Sequence, residues 1–327
     1  MNNRRKLVTA LGAGALTAPF GLFAQHQGKV WRIGFLGAAT AAGFGSRVAE
    51  LRKSLAELGY IEGKNVIFEE RWADNSNDRL PQLAADLVRV KCDVIVTSGT
   101  PAIFALKRAT TAVPIVMATS GDAVKSGLVA SLARPGGNVT GLSFFGPELY
   151  AKRIELIKEA VPRVKTIAYL FNPDNPAEQG NVSIVENAAR QMKTNLYWFE
   201  TRKISDFESA FTAMTKKNID AVVVTNDTLL VTNYKTIAAL VAKQRLPSIG
   251  GSEFADAGGL LGFGPSAVSL FRRSAVYVDR ILKGAKPADL PVEQPTKFEL
   301  WINGKTAKAL GIKLPNSILV RADKVIE

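Results

Sequence analysis

From about residue 30 the chain alternates short apolar strands with amphipathic helices, and after about 130 residues the same order begins again. Val30 to Leu36 reads as a strand. Val48, Leu51, Leu55 and Leu58 then share one helical face. Val66-Ile67-Phe68 is a second strand, Leu80, Leu83, Leu87 and Val90 mark a second helix, and Asp93 to Thr97 is a third strand. That third run is apolar without alternation, as the middle of a parallel sheet requires. In the second copy, Thr166 to Leu170 takes the place of the first strand, and Leu196 to Phe199 that of the second. Asp220 to Thr225 takes the place of the third, with helices carrying Ile184, Val185, Ala188 and Met192, then Ile204, Phe207, Phe211 and Met214. Two βαβαβ units predict an α/β protein of two similar doubly wound parallel-sheet lobes.

The segments outside the repeat predict how the lobes connect. Val139 to Phe144 reads as a strand after the turn Arg134 to Asn138. A long helix runs from about Ala267 to Lys283, and Pro287, Pro291 and Pro295 mark an extended return through Phe298 to Trp301. The chain is expected to cross three times between the lobes, a multi-strand hinge able to close on a ligand. The expected divisions are 1–24 as a leader, 29–143 plus 266–290 as one lobe, and 144–265 plus 291–327 as the other.

The first 24 residues differ from the rest. Arg4-Arg5-Lys6 forms a basic head, Leu7 to Ala18 is an uncharged apolar run, and Leu22-Phe23-Ala24 offers a small residue at a cleavage point. This is the order of a cleavable secretory signal, and the twin arginine fits Tat export as well as Sec. The run is too short to span a bilayer comfortably. The single cysteine, Cys92, lies among apolar residues and far from the cleavage region, so neither an intrachain disulfide nor a lipid-anchoring cysteine is available. A periplasmic protein that is not integral to the membrane is expected, and a monomer.

The net charge of +13 raises the question of nucleic acid. The basic residues are dispersed, without a run of five, which reads as a solvated surface and no nucleic-acid partner. His26 is the only histidine, so Ser-His-Asp and Cys-His chemistry is excluded. No Cys/His cluster suits zinc, and neither a P-loop nor a G-x-G-x-x-G follows a strand. No cofactor or metal is expected. A carboxylate pair brought together by folding stays open.

In open parallel sheets ligands bind beyond the carboxyl ends of the strands, and two facing lobes place those ends on one cleft. Four segments follow. Ser98-Gly99-Thr100-Pro101 joins a strand to a helix N-terminus, which suits an anion such as a carboxylate or serves only as a cap. Ser120-Gly121-Asp122 presents small polar groups and an acid, or Asp122 caps a helix from near Val124. Asn226-Asp227 places an acid at a strand end, to bind an ammonium group or to cap a helix through Thr232 and Tyr234. Gly251 and Glu253 follow the strand at Ser248-Ile249, with Glu253 facing the cleft or starting a helix. Phe144, Phe145, Trp72 and Phe171 lie near strand ends, to sandwich a flat ligand or to pack the core.

Several stretches together resemble a known family. They are Thr97 to Ala102 with Ala105-Leu106-Lys107, Gly121-Asp122 through Gly127-Leu128-Val129, and Leu132-Ala133-Arg134-Pro135-Gly136-Gly137-Asn138-Val139-Thr140-Gly141. Gly258-Gly259-Leu260, Tyr277 to Gly284 and Lys305 to Gly311 complete the set. The chain is similar to the ABC transporter substrate-binding family that includes the tryptophan/tyrosine-type binding proteins, over about residue 30 to 327. The resemblance implies a type I periplasmic-binding fold, an ABC permease with its ATPase as partner, and a Gly99-Thr100 turn and Asp227 that face the ligand. The chain departs from the family's usual pattern at Asp122-Ala123-Val124 and at Trp301-Ile302-Asn303-Gly304. The expected function is a binding protein closing on a small polar or zwitterionic solute, with an aromatic amino acid as leading ligand. A sensor module for a signalling receptor and a carboxylate-based enzyme are the competing readings.

Overall fold

The computed structural model describes residues 29–327 apart from 145 and 179. The leader expected over residues 1–24, and Phe145, lie outside the described residues. The first sheet holds β1 (Trp31–Gly37), β2 (Val66–Trp72), β3 (Val94–Ser98), β4 (Ile115–Thr119) and β5 (Val139–Gly141), in the order β2-β1-β3-β4-β5 and all parallel. Helices α1 (Ala41–Glu57), α2 (Leu80–Arg89) and α3 (Thr100–Ala109) alternate with these strands.

The second half opens with α4 (Gly146–Ala160), then β6 (Thr166–Phe171), α5 (Val182–Gln191), β7 (Asn195–Glu200), α6 (Asp206–Lys216) and β8 (Ala221–Val224). It continues with α7 (Thr228–Thr232), α8 (Tyr234–Lys243), β9 (Ser248–Gly250) and β10 (Leu261–Gly264). Beyond α9 (Ala267–Leu282) come β11 (Glu299–Asn303), α10 (Gly304–Leu310), α11 (Asn316–Leu319) and β12 (Lys324–Ile326). The second sheet is ordered β12-β11-β10-β9-β8-β6-β7. Its strands β7-β6-β8-β9-β10 reproduce the order of the first sheet, and β11 alone pairs antiparallel, with β10. The repeat in the sequence is therefore a repeat of topology, and each sheet carries a switch point beside its first strand.

The repeat extends to one side chain. Asp93, just before β3, accepts a hydrogen bond from the backbone N–H of Arg32 on β1 at 2.8 Å. Asp220, just before β8, accepts from Lys165 and Thr166 at the start of β6 at 2.8 and 2.9 Å. An aspartate ahead of the third strand thus pins the mouth of the first strand in both halves. Asp323, ahead of β12, does the same for Leu300 on β11 at 2.8 Å.

Helix α9 belongs with the first sheet although the chain reaches it from the second. Leu270, Phe271, Ala275, Val278 and Ile281 share a core with Phe44, Leu51 and Val116, the burial of each side chain larger than alanine contributing roughly 1.5–3 kcal/mol. The chain passes between the sheets after β5, between β10 and α9, and between Val292 and β11. The first and third passages are tied together: Leu142 bridges Glu293, and Ser143 N–H donates to the Glu293 carbonyl at 3.0 Å. Cys92 is buried, and burial pushes its thiol up to about 12. Among the described residues no helix is long and apolar enough to cross a membrane.

One expectation changes here. No helix starts near Val124. Residues 122–128 form a single hydrogen-bonded turn that Gly127 ends at a φ of 74°. Helix α4 and strands β10 and β12 were not anticipated from the sequence.

Candidate functional site

The carboxyl ends of both sets of strands face one cavity between the two sheets, with a mouth open to solvent. The first half contributes Ser98, Gly99 and Thr100 after β3, Thr119 to Asp122 after β4, and Phe44 and Arg47 from α1. The second contributes Asn175, Ala177, Glu178 and Asn181 after β6, Asn226 and Thr228 after β8, and Gly251 and Glu253 after β9. Tyr150 of α4, Tyr234 of α8 and the start of α9 complete the wall, with Phe144 and Phe271 among its aromatic surfaces.

At the β3–α3 turn, Gly99 adopts a φ of 92°, a conformation side chains oppose. It also sits where a Cβ would lie 2.5 Å from Thr228 Oγ1 of the facing lobe. Thr100 and Pro101 start the helix; proline carries no N–H, so Thr100 and Ala102 supply the free N–H groups at its positive end. The Thr100 hydroxyl lines the cavity, is 1 % exposed, and has no hydrogen-bond partner among the described residues. A buried hydroxyl in that state carries an unmet desolvation cost. The neighbouring hydroxyls, Ser98 and Thr119, satisfy each other at 2.8 Å.

Across the cleft, a buried arginine organises the wall. Arg153 of α4 donates to the carbonyls of Val224 (2.9 Å) and Phe263 (2.9 and 2.8 Å) at the ends of β8 and β10, and to Asn226 Oδ1 at 2.8 Å. Burial lowers its pKa. With Oδ1 so held, the Asn226 amide turns its other end away from Arg153 and can donate to a ligand. Tyr150 and Tyr234 accept from the backbone N–H groups of Asn226 (3.1 Å) and Gly251 (2.9 Å), leaving both phenol protons to donate elsewhere. Burial raises both phenols, so they remain protonated donors.

The acids divide into caps and one exception. Asp122 accepts from the N–H groups of Val124 (3.1 Å) and Lys125 (2.9 Å), closing its turn while lining the cavity. Glu253 reaches the lining and also accepts from Ala267 N–H, at the start of α9, at 3.1 Å. Asp227 does not line the cavity. Its carboxylate caps α7 through Leu229 N–H at 2.9 Å and takes the amides of Asn172 (3.3 Å) and Asn175 (2.9 Å). The expected ammonium contact at Asp227 is corrected: these donors spend its oxygens behind the wall, on a helix shorter than expected. Pro101 is likewise absent from the lining.

The acid that does line the cavity is Glu178, on the 3₁₀ turn Pro176–Glu178. It is 4 % exposed, and its Oε2 accepts from Tyr169 (3.3 Å) and Asn181 (3.1 Å). Burial pushes its carboxyl up to about 7, against the Asn181 hydrogen bond and with help from Asp227. Glu178, Tyr150, Arg153 and Arg47 were missed from the sequence. Tyr150, Ile154, Ile157 and Val161 lie at helical spacing, a signal for α4 that would have found two of them. Trp72 and Phe171 are packing residues, Trp72 against Phe35 (5.1 Å between centroids) and Phe171 against Trp198 (5.3 Å).

A two-lobed α/β body with a cavity between the carboxyl ends of two repeated sheets is the type I periplasmic-binding fold. Residues 42–326 match the family described as ABC transporter substrate binding protein, and the chain belongs to that family. It is 28% identical over 262 residues to a tyrosine-binding protein of Clostridioides difficile strain R20291, covering 80% of this chain and 75% of that one. A solved ABC domain from Streptococcus pneumonia, in complex with L-Trp, matches with a TM-score of 0.84 and 29% identity over 90% of this chain and 99% of that one. A conserved domain protein from Vibrio cholerae O1 biovar El Tor matches with a TM-score of 0.85 and 28% identity over 91% and 100%.

Proposed function

We propose that this substrate-binding protein captures an aromatic amino acid in the periplasm and delivers it to an ABC permease with its ATPase, as a monomer exported by the leader at residues 1–24. The observation that carries the reading is the cavity itself. The unpartnered Thr100 hydroxyl and the free N–H groups of α3 stand on one wall, and Phe144, Phe271, Tyr150 and Tyr234 offer aromatic surface around it. The first group suits a carboxylate and the second a flat apolar side chain. Relatives that bind tyrosine and L-Trp support this choice of ligand.

Titration calorimetry of residues 25–327 with tryptophan, tyrosine, phenylalanine and leucine tests it. Saturable binding of an aromatic member, with leucine weaker, is the expected result. Binding of none of them, with a stable fold, sinks the ligand assignment. Thr100→Val removes the free hydroxyl while keeping shape, and is expected to weaken binding by about 5- to 30-fold, one to two kcal/mol.

A further inference from the structure

Glu178 is a buried carboxylate that pairs with no cation among the described residues. It stands on the cavity wall; Tyr169 and Asn181 both donate to Oε2, and the Thr225 hydroxyl beside it also favours the charged form. Tyr169 faces it from β6, Asp227 from the start of α7, and Tyr150 and Arg153 from α4. Lys125 approaches from the facing lobe beside Gly180, with its ammonium 3.9 Å from Asp122. Arg153 is the one fully buried cation of this group, and its guanidinium hydrogens go to two carbonyls and Asn226. Asp227 adds a second negative group instead of relieving the first.

A carboxylate in that position has two ways to avoid an uncompensated charge: keep a proton, or receive a cation from the cavity. The surroundings favour the second whenever a ligand carries an ammonium group. The Tyr169 and Asn181 donors hold one oxygen in place, and no positive charge meets the other, which is left for a charge-assisted bond. Thr100 and the start of α3 lie on the other wall of the same cavity, so an amine and a carboxylate on one small molecule would meet opposite partners.

We infer that Glu178 is the seat of a primary ammonium group of the ligand, and that it selects amine-bearing solutes over their deaminated counterparts. The inference rests on the amino-acid reading above but can be separated from it. Below about pH 7 binding is a proton exchange: the empty protein holds a proton on Glu178, and the arriving ammonium displaces it to solvent.

The test is calorimetry with L-tryptophan, tryptamine and indole-3-propionate on wild-type protein and on Glu178→Gln. Wild type is expected to prefer tryptophan over indole-3-propionate by about tenfold or more, and Glu178→Gln to bring the two within about twofold. An unchanged preference in the variant overturns the inference. A second measurement needs no variant. At about pH 6, buffers of different ionisation enthalpy should reveal proton release when tryptophan binds and none when indole-3-propionate binds; no release with tryptophan overturns the inference. If tryptamine binds in a Glu178-dependent way while tryptophan does not, the seat stands and the amino-acid reading falls. If no amine-bearing compound binds, both fall.

Discussion

Asp227 and Glu178 are both buried, and their neighbours set them to different tasks. Asn172 and Asn175 fix Asp227 as a cap, from a loop fifty-odd positions earlier, by donating to it at 3.3 and 2.9 Å. Asp227→Ala is therefore expected to cost about 1–3 kcal/mol in urea unfolding, by loss of the α7 cap and of two buried acceptors. A selective loss of ligand affinity with unchanged stability would contradict the cap. The sequence placed Asp227 where a strand end meets a helix start but left open whether it caps or contacts ligand, and it gave no sign of Glu178, whose burial comes from tertiary packing. Its carboxyl stands at about 7 against an ordinary 4.5, so between those values the folded chain keeps a proton that the unfolded chain has lost. The stabilisation is complete below about pH 4.5 and disappears as pH rises through about 7, on the order of 3 kcal/mol in all. Urea midpoints of empty wild type and Glu178→Gln, compared across that window, should show a falling difference. A flat difference would remove Glu178 as the titrating group.

Elements were legible wherever hydrophobic period and a strand-ending turn coincided. Asp93-Val94-Ile95-Val96 and Asp220-Ala221-Val222-Val223 are the clearest, since each aspartate pins the neighbouring strand just after Lys91 or Asn218, at positive φ, has turned the chain out of the preceding helix. The turn at 122–128 was misread because Asp122 with Val124 and Leu128 imitates a capped helix, while Gly127 ends it after one turn. Strand β12 has three residues, two of them exposed, and so lacks a period to read. Helix α4 was overlooked although it carries the residue on which the wall depends. Arg153→Met is expected to remove about 3–5 kcal/mol of stability, since the Val224 and Phe263 carbonyls and the Asn226 amide all lose their donor inside the protein. Arg153→Lys supplies a charge without the planar fork and should recover only part of that loss. Chemical denaturation of both variants checks the order; equal stability of Met and Lys variants would mean that the fork is not what matters.

At the scale of the whole molecule, the two halves touch across the cleft through residues too small to hold them apart. A Cβ on Gly121 would lie 2.6 Å from the Ala177 Cβ of the opposite lobe, closer than such carbons approach. Ala177 sits on the same 3₁₀ turn as Glu178, so the contact lies beside the proposed ammonium seat. Gly121 has no positive φ, which means that alanine there strains no backbone and meets an obstacle only while the lobes are together. A protein that opens about its three connecting passages loses this contact, and one that closes must make it. Gly121→Ala should therefore raise the energy of the closed state alone. The apparent ligand affinity is expected to fall by about 5- to 10-fold, close to one kcal/mol, through a smaller closed population. Gly45→Ala is the matched control, since a Cβ at Gly45 meets nothing within 4 Å. Small-angle scattering should find Gly121→Ala more extended than wild type at equal ligand concentration, converging with it at saturation, and Gly45→Ala indistinguishable from wild type throughout. Equal affinities for Gly121→Ala and wild type would show that the lobes bind ligand without coming this close.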